Sequence, residues 1–243
     1  MKPQPCEHPQ IPERRSFLRR SFIEIMPSLE CNLHCPLCDR GRDVPPLDDF
    51  KDIEILYYNF LSHRGCSISD IRISGGEPTL YHRINELIGF LRRLNPEIEI
   101  ILITNGFGLK RLAAESLSTV SLSVSIYRET EEYLRKDGGI RSILESRNIP
   151  PRANIECHEN LRYPGTQLIG FDPLHCYSAV LLSGTKNAYP CCRAHRFEQD
   201  FNRNYHQRID GRHLFSKLKR TITDTDLCTH CPRMYADRAL VTR

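Results

Sequence analysis

Cys31-Asn32-Leu33-His34-Cys35-Pro36-Leu37-Cys38 places three thiols within eight residues, with three residues between the first pair and two between the second. Three thiolates this close can hold three irons of a cubic iron–sulfur cluster and leave the fourth iron open to another ligand. A structural zinc ion is the alternative, with His34 as a fourth ligand. But His34 adjoins Cys35, which makes tetrahedral closure by both awkward, and zinc ribbons usually pair two short Cys-x-x-Cys elements. A second short signal, Gly75-Gly76-Glu77-Pro78, lies about forty residues downstream.

Working outward, the strand and helix periods alternate. Phe22–Met26 reads as a first strand feeding the cysteine loop. Asp48 or Asp49 is placed to cap a helix whose apolar residues Phe50, Ile53, Leu56, Tyr57 and Phe60 share a face. A second strand, Asp70–Ser74, ends in the Gly-Gly-Glu-Pro turn, and Ile84, Leu87, Ile88 and Leu91 mark the next helix. A third strand, Ile98–Ile103, stops at Thr104-Asn105-Gly106, and a short helix is predicted over Leu109–Leu117. Further strands are expected at Val120–Ile126, Ala153–Cys157 and Gln167–Phe171, with a helix within 129–147. This alternation predicts an α/β fold with a parallel sheet and outer helices. Too few units are present for a closed eight-fold barrel, so about six units in a partial barrel are expected. In such folds the working rim lies at the carboxyl ends of the strands, and the three motifs fall there together. Residues 1–21 read as an arm, 22–172 as the barrel and 173–243 as a small second domain, with a hairpin of Tyr177–Leu182 and Ala188–Pro190 around Gly184 and a helix over His213–Ile222, too poor in apolar surface to be stable without metal.

The chain of 243 residues is 40% hydrophobic and 26% charged, an ordinary globular composition. No apolar run approaches the ~20 residues needed to cross a bilayer, and the basic N-terminus lacks the pattern of a signal peptide. A cytoplasmic, membrane-free protein is expected. Eleven cysteines at ligand-like spacings then suggest metal binding rather than disulfides. The net charge is only +4, though residues 193–243 carry 11 Lys/Arg against 6 Asp/Glu. No aromatic-rich motif accompanies that basic end, so nucleic acid is not an expected partner.

The Cys-x-x-x-Cys-x-x-Cys loop after a first strand, with Gly-Gly-Glu-Pro after a second, resembles the radical S-adenosylmethionine (SAM) superfamily over roughly residues 22–172. That resemblance implies a partial (β/α)6 barrel holding SAM on the open iron of a [4Fe–4S] cluster bound by Cys31, Cys35 and Cys38. It also implies the activity: reductive cleavage of SAM to a 5′-deoxyadenosyl radical, which abstracts hydrogen from an unactivated C–H. Gly75 and Gly76 would let backbone approach SAM, Glu77 would accept from its ammonium and Pro78 would stiffen the turn. Asn105 and Ser125 match positions near the cofactor. Two positions depart from the usual pattern: Leu37 stands where an aromatic residue commonly packs by the adenine, and Tyr127 where many two-cluster relatives have an acid.

Cys176, Gly184, Cys191, Cys192, Cys228 and Cys231 form a second constellation. It resembles the short twitch form of the SPASM auxiliary-cluster domain found in this superfamily. The expected ligands of a second [4Fe–4S] cluster are Cys176, Cys191, Cys228 and Cys231, with Cys192 as a substitute for Cys191 and zinc as the rival metal. A fully ligated second cluster would accept an electron from a substrate radical, which points to an oxidoreductase acting on a small polar metabolite such as a sugar, aminocyclitol or nucleoside. Tyr127, Arg152, Glu156 and His158 are candidates for substrate acid–base work. Flavodoxin or ferredoxin would donate electrons. Modification of a ribosomal peptide or protein side chain is the alternative enzyme reading. A zinc-stabilised binding protein is the non-enzyme one.

Overall fold

The structure is a computed structural model that describes residues 20–34, 44–62, 67–125, 153–154, 178–182, 185–191, 194, 198 and 203–224. Along the chain run β1 (Arg20–Met26), α1 (Lys51–Leu61), β2 (Ser67–Ile73), α2 (Ile84–Leu94), β3 (Glu99–Thr104), α3 (Ala114–Ser118), β4 (Ser121–Val124) and β5 (Ala153–Asn154). They are followed by β6 (Ser178–Leu182), β7 (Asn187–Tyr189), β8 (Gln207–Arg208) and α4 (Leu214–Asp224). Short 3-10 turns occupy Pro78–Leu80 and Leu109–Arg111.

The strands form one sheet in the order β5-β4-β3-β2-β1-β6-β7-β8. The pairings from β5 through β1 to β6 are all parallel, and β6–β7 and β7–β8 are antiparallel. The hairpin expected in the second domain, Tyr177–Leu182 with Ala188–Pro190, is therefore present. Its first strand is hydrogen-bonded along β1 in the same sheet. The expected helix within 129–147 and strand at Gln167–Phe171 lie outside the described residues.

Alternation along each strand sorts its side chains onto two faces. Ile23, Ile25, Ile71, Ile73, Ile100, Leu102, Leu122 and Val124 join one apolar core with Ile53, Leu56, Tyr57 and Phe60 of α1 and Ile84, Leu87, Ile88 and Leu91 of α2. Leu214 and Leu218 of α4 belong to the same core, so the C-terminal helix docks on the outer layer beside α1. The opposite, inner face carries Phe22, Glu24, Met26, Asp70, Arg72, Ile101, Ile103, Ser121 and Ser123. It mixes polar and apolar side chains where the outer face is apolar.

Two helical expectations need correction. Phe50, not an aspartate, is the N-cap of α1, though Asp49 Oδ1 still accepts from the Lys51 N–H at 2.9 Å. The helix expected over Leu109–Leu117 is broken into a 3-10 turn and α3. Between them Leu112 and Ala113 are extended, and the Ala113 N–H donates to Asn85 Oδ1 of α2 at 2.9 Å. No helix among the described residues is long and apolar enough to cross a membrane.

Candidate functional site

The site is built where β1, β2 and β3 end. Past Met26 the chain is stitched to the turn after β2. Ser74 N donates to Ile25 O at 2.9 Å, Gly76 N to Ser28 O at 2.9 Å and Glu77 N to Glu30 O at 2.7 Å. This ladder extends the β1–β2 pairing to the residue before Cys31. The far end of the excursion is clamped as well, because Leu47 N donates to Pro27 O at 2.8 Å and the Tyr81 hydroxyl donates to Leu47 O.

The two glycines are required by this stitching. Gly75 has φ +123°, and a Cβ there would lie 2.3 Å from Ser28 O. A Cβ on Gly76 would lie 2.0 Å from Glu30 O. The neighbour that needs their missing side chains is thus the chain leading into the cysteine loop.

Glu77 is almost wholly buried, with 1% exposure. Its Oε1 accepts from Thr79 N at 3.1 Å, Thr79 Oγ1 at 2.6 Å and Thr104 Oγ1 at 2.6 Å, while Oε2 accepts from Asn105 N at 2.7 Å. The carboxylate thereby fixes the turn after β2 to the turn after β3, and Oε2 keeps acceptor capacity beyond its one bond. Pro78 opens the 3-10 turn that Glu77 caps. Asn105 passes the connection on: its Nδ2 donates to Asn32 Oδ1 at 2.8 Å, between Cys31 and Cys35. A Glu77–Asn105–Asn32 chain thus runs from β2 through β3 to the cysteine loop. Neither Asn32 nor Thr104 stood out in the sequence, and the Thr-Asn-Gly run after an apolar strand was the one available signal. Ser125, 8% exposed, continues the β3–β4 ladder through its N–H to Thr104 O at 2.8 Å.

Cys31 is half-buried, and the Leu33 N–H donates to its Sγ at 3.4 Å. The contact turns a backbone N–H toward the sulfur at the start of the three-cysteine loop. Together with the glycine cradle, these features fit a thiolate-held cluster beside a turn made for close backbone approach. Cys35, Cys38 and Leu37 lie outside the described residues, as do Cys176, Cys192, Cys228, Cys231, Tyr127, Arg152, Glu156 and His158. Accordingly, no group of three possible metal ligands occurs among the described residues.

Cys191 follows β7 and is half-buried against a small apolar cluster of Met26, Leu29, Tyr189, Ala194 and Tyr205. Met26 and Leu29 belong to the segment entering the cysteine loop, so packing links the two cysteine-bearing regions. Glu198 organises this corner. It accepts from Tyr189 Oη at 3.1 Å and His206 N at 2.9 Å, also takes the Tyr205 N–H, and meets His206 Nδ1 at 2.8 Å. Burial, followed by the Glu198 charge, holds the Tyr189 phenol well above its usual pKa. Glu198 left no local signal, because its partners come from two other segments, Tyr189 and Tyr205–His206.

Comparison with known proteins agrees with this geometry. The family described as Radical SAM superfamily matches residues 25–164. GTP 3′,8-cyclase of Helicobacter pylori is 36% identical over 112 residues, which are 42% of this chain and 34% of that protein. GTP 3′,8-cyclase 2 of Mycobacterium tuberculosis is 35% identical over 101 residues, 39% of this chain and 28% of that one. The chain thus spans about a third of the length of the curated relatives it matches. Among solved structures, BtrN in complex with AdoMet and 2-DOIA superposes with a TM-score of 0.58 at 19% identity, covering 87% of this chain and 92% of that one. That likeness is one of fold. With the family match running from β1 to beyond β5, across more than half of the residues, the chain belongs to the radical SAM superfamily.

Proposed function

We propose that this radical SAM enzyme performs a redox change at an unactivated C–H of a small polar metabolite, with a second cluster taking up the substrate electron. Family membership removes the zinc-stabilised binding protein from consideration and brings SAM and a [4Fe–4S] cluster with it. SAM bound at that cluster supplies one-electron chemistry able to take hydrogen from a carbon that acids and bases cannot activate. The chain's own work is to aim and enclose. Cys31, Cys35 and Cys38 would hold the first cluster, and the Gly75–Pro78 turn, Asn105 and Ser125 would border the cofactor. The Glu77–Asn105–Asn32 connection keeps the loop and the turn in one register.

The observation that carries the redox reading is the packing of Cys191 against the cluster to which Met26 and Leu29 belong. A cluster held by Cys176, Cys191, Cys228 and Cys231 would then sit beside the entry to the first cluster loop, where a substrate radical could pass its electron on. Flavodoxin or ferredoxin would supply the reducing electron. A second reading, a nucleotide substrate, is favoured by the identity with GTP 3′,8-cyclases. Anaerobically reconstituted protein should hold about eight irons with matching sulfide and release 5′-deoxyadenosine when given SAM and reductant. A product two electrons more oxidised than its substrate supports the preferred reading. Cyclisation of GTP by the same preparation would replace it with the second.

A further inference from the structure

One buried carboxylate on the inner face is tied to the turn beside the cysteine loop by a single bond and is otherwise unused there. Glu24 is 6% exposed. Its Oε1 accepts the hydroxyl of Ser74, itself fully buried. Among the described residues its Oε2 has no partner. A carboxylate has about four lone-pair sites, so one hydroxyl leaves most of its acceptor capacity free, and Oε2 is not one of the fully enclosed polar atoms but keeps contact with the space on the inner face. A donor offered from that side would complete its bonding.

The register says where that donor would stand. Glu24 is level with Arg72 and Ile25 with Ile73, after which Ser74 leads directly into Gly75. Glu24 therefore lies just beneath the turn bordering the cysteine loop, on the same face as Ile103 and Ser123, which are half-buried and so still reachable. Arg72, the inner-face cation level with Glu24, is already committed. Its Nε lies 2.6 Å from Asp70 Oδ1 and its guanidinium stacks 3.7 Å above the Phe22 ring, toward the opposite end of the sheet. Among the described residues Glu24 thus has no cation paired with it. A triphosphate would meet like charge there, whereas an ammonium would meet a desolvated carboxylate and form a charge-assisted hydrogen bond.

We infer that Glu24 is a substrate-binding residue that receives an amino group. The substrate class is then an amine-bearing polyol, such as an amino sugar or aminocyclitol, rather than a nucleoside triphosphate. This rests on the reading of the chain as a radical SAM enzyme of a small metabolite, and the two can fail separately. Release of 5′-deoxyadenosine by the wild-type holoenzyme with SAM and dithionite tests that reading. Equilibrium binding to the SAM-loaded holoenzyme, measured without turnover, tests Glu24, with glucosamine, 2-DOIA, N-acetylglucosamine and GTP as probes. The expected result is that an amine probe binds at least ten-fold tighter than N-acetylglucosamine and GTP, and that E24Q loses at least ten-fold for the amine alone. Tighter binding of GTP, no saturable binding of either amine, or an E24Q affinity equal to wild type would overturn the proposal. The wild-type comparison needs no variant, so a poorly folded E24Q does not leave the question open.

Discussion

At the scale of single residues, Glu77 explains the most. Its sequence context announced a turn beside a cofactor. The geometry adds that the carboxylate is also the fastener between two strand ends, with four donors from Thr79, Thr104 and Asn105. Glu77→Gln places an NH2 group among those donors, and we expect it to cost about 2 kcal/mol or more of unfolding free energy by urea denaturation. Gly76→Ala drives a methyl into Glu30 O, and a loss of about 1–3 kcal/mol should appear in the same measurement together with reduced iron incorporation. Tyr81 gives a pH signature. Burial raises its phenol above the ordinary value of 10.0, so the folded state holds the proton more tightly than the unfolded one. The stability linked to this group is complete below pH 10 and is lost as pH rises beyond it. Tyr81→Phe should cost about 1 kcal/mol at pH 7 by losing the bond to Leu47 O, and should show a smaller further loss between pH 7 and pH 11. Which residues carry the chemistry was legible from type and spacing. Which residues hold them was not: Thr104 and Asn32 resemble any polar residue at a strand end or in a loop until the fold brings them to Glu77 and Asn105.

At the scale of elements, periodicity served well where one face of an element does one job. The apolar positions of α1 and α2 repeat at helical spacing because each helix covers the same hydrophobic side of the sheet. The stretch 109–117 failed for a physical reason: Asn85, on a different helix, holds Ala113 extended, and such a partner leaves no trace in the local pattern. The hairpin of β6 and β7 was legible too, but its attachment to β1 was not, since strand alternation says nothing about which edge a strand joins. The hairpin leads directly to Cys191. Cys191→Ser is expected to lower the iron content of reconstituted protein from about eight to about four per chain, read by metal and sulfide analysis. An unchanged iron content would count against Cys191 as a ligand.

At the scale of the whole molecule, the parallel sheet and its rim follow from the alternation of strand and helix signals, and the three motifs meet because the carboxyl ends of parallel strands share one edge. The two faces of the sheet divide the labour: apolar side chains toward the helices stabilise, and polar ones on the inner face remain available for a ligand. A chain ending at residue 172 would lack β6, leave one side of β1 unpaired, and should migrate as aggregate in size-exclusion chromatography. The same pairing has a consequence for synthesis. The first strand of the sheet leaves the ribosome well over a hundred residues ahead of Ser178–Leu182, the neighbour that completes it. At translation rates of ~5–20 residues per second, the nascent chain waits roughly 8–30 s with that strand half-paired, so a chaperone holding β1 during this interval should raise the yield of folded protein.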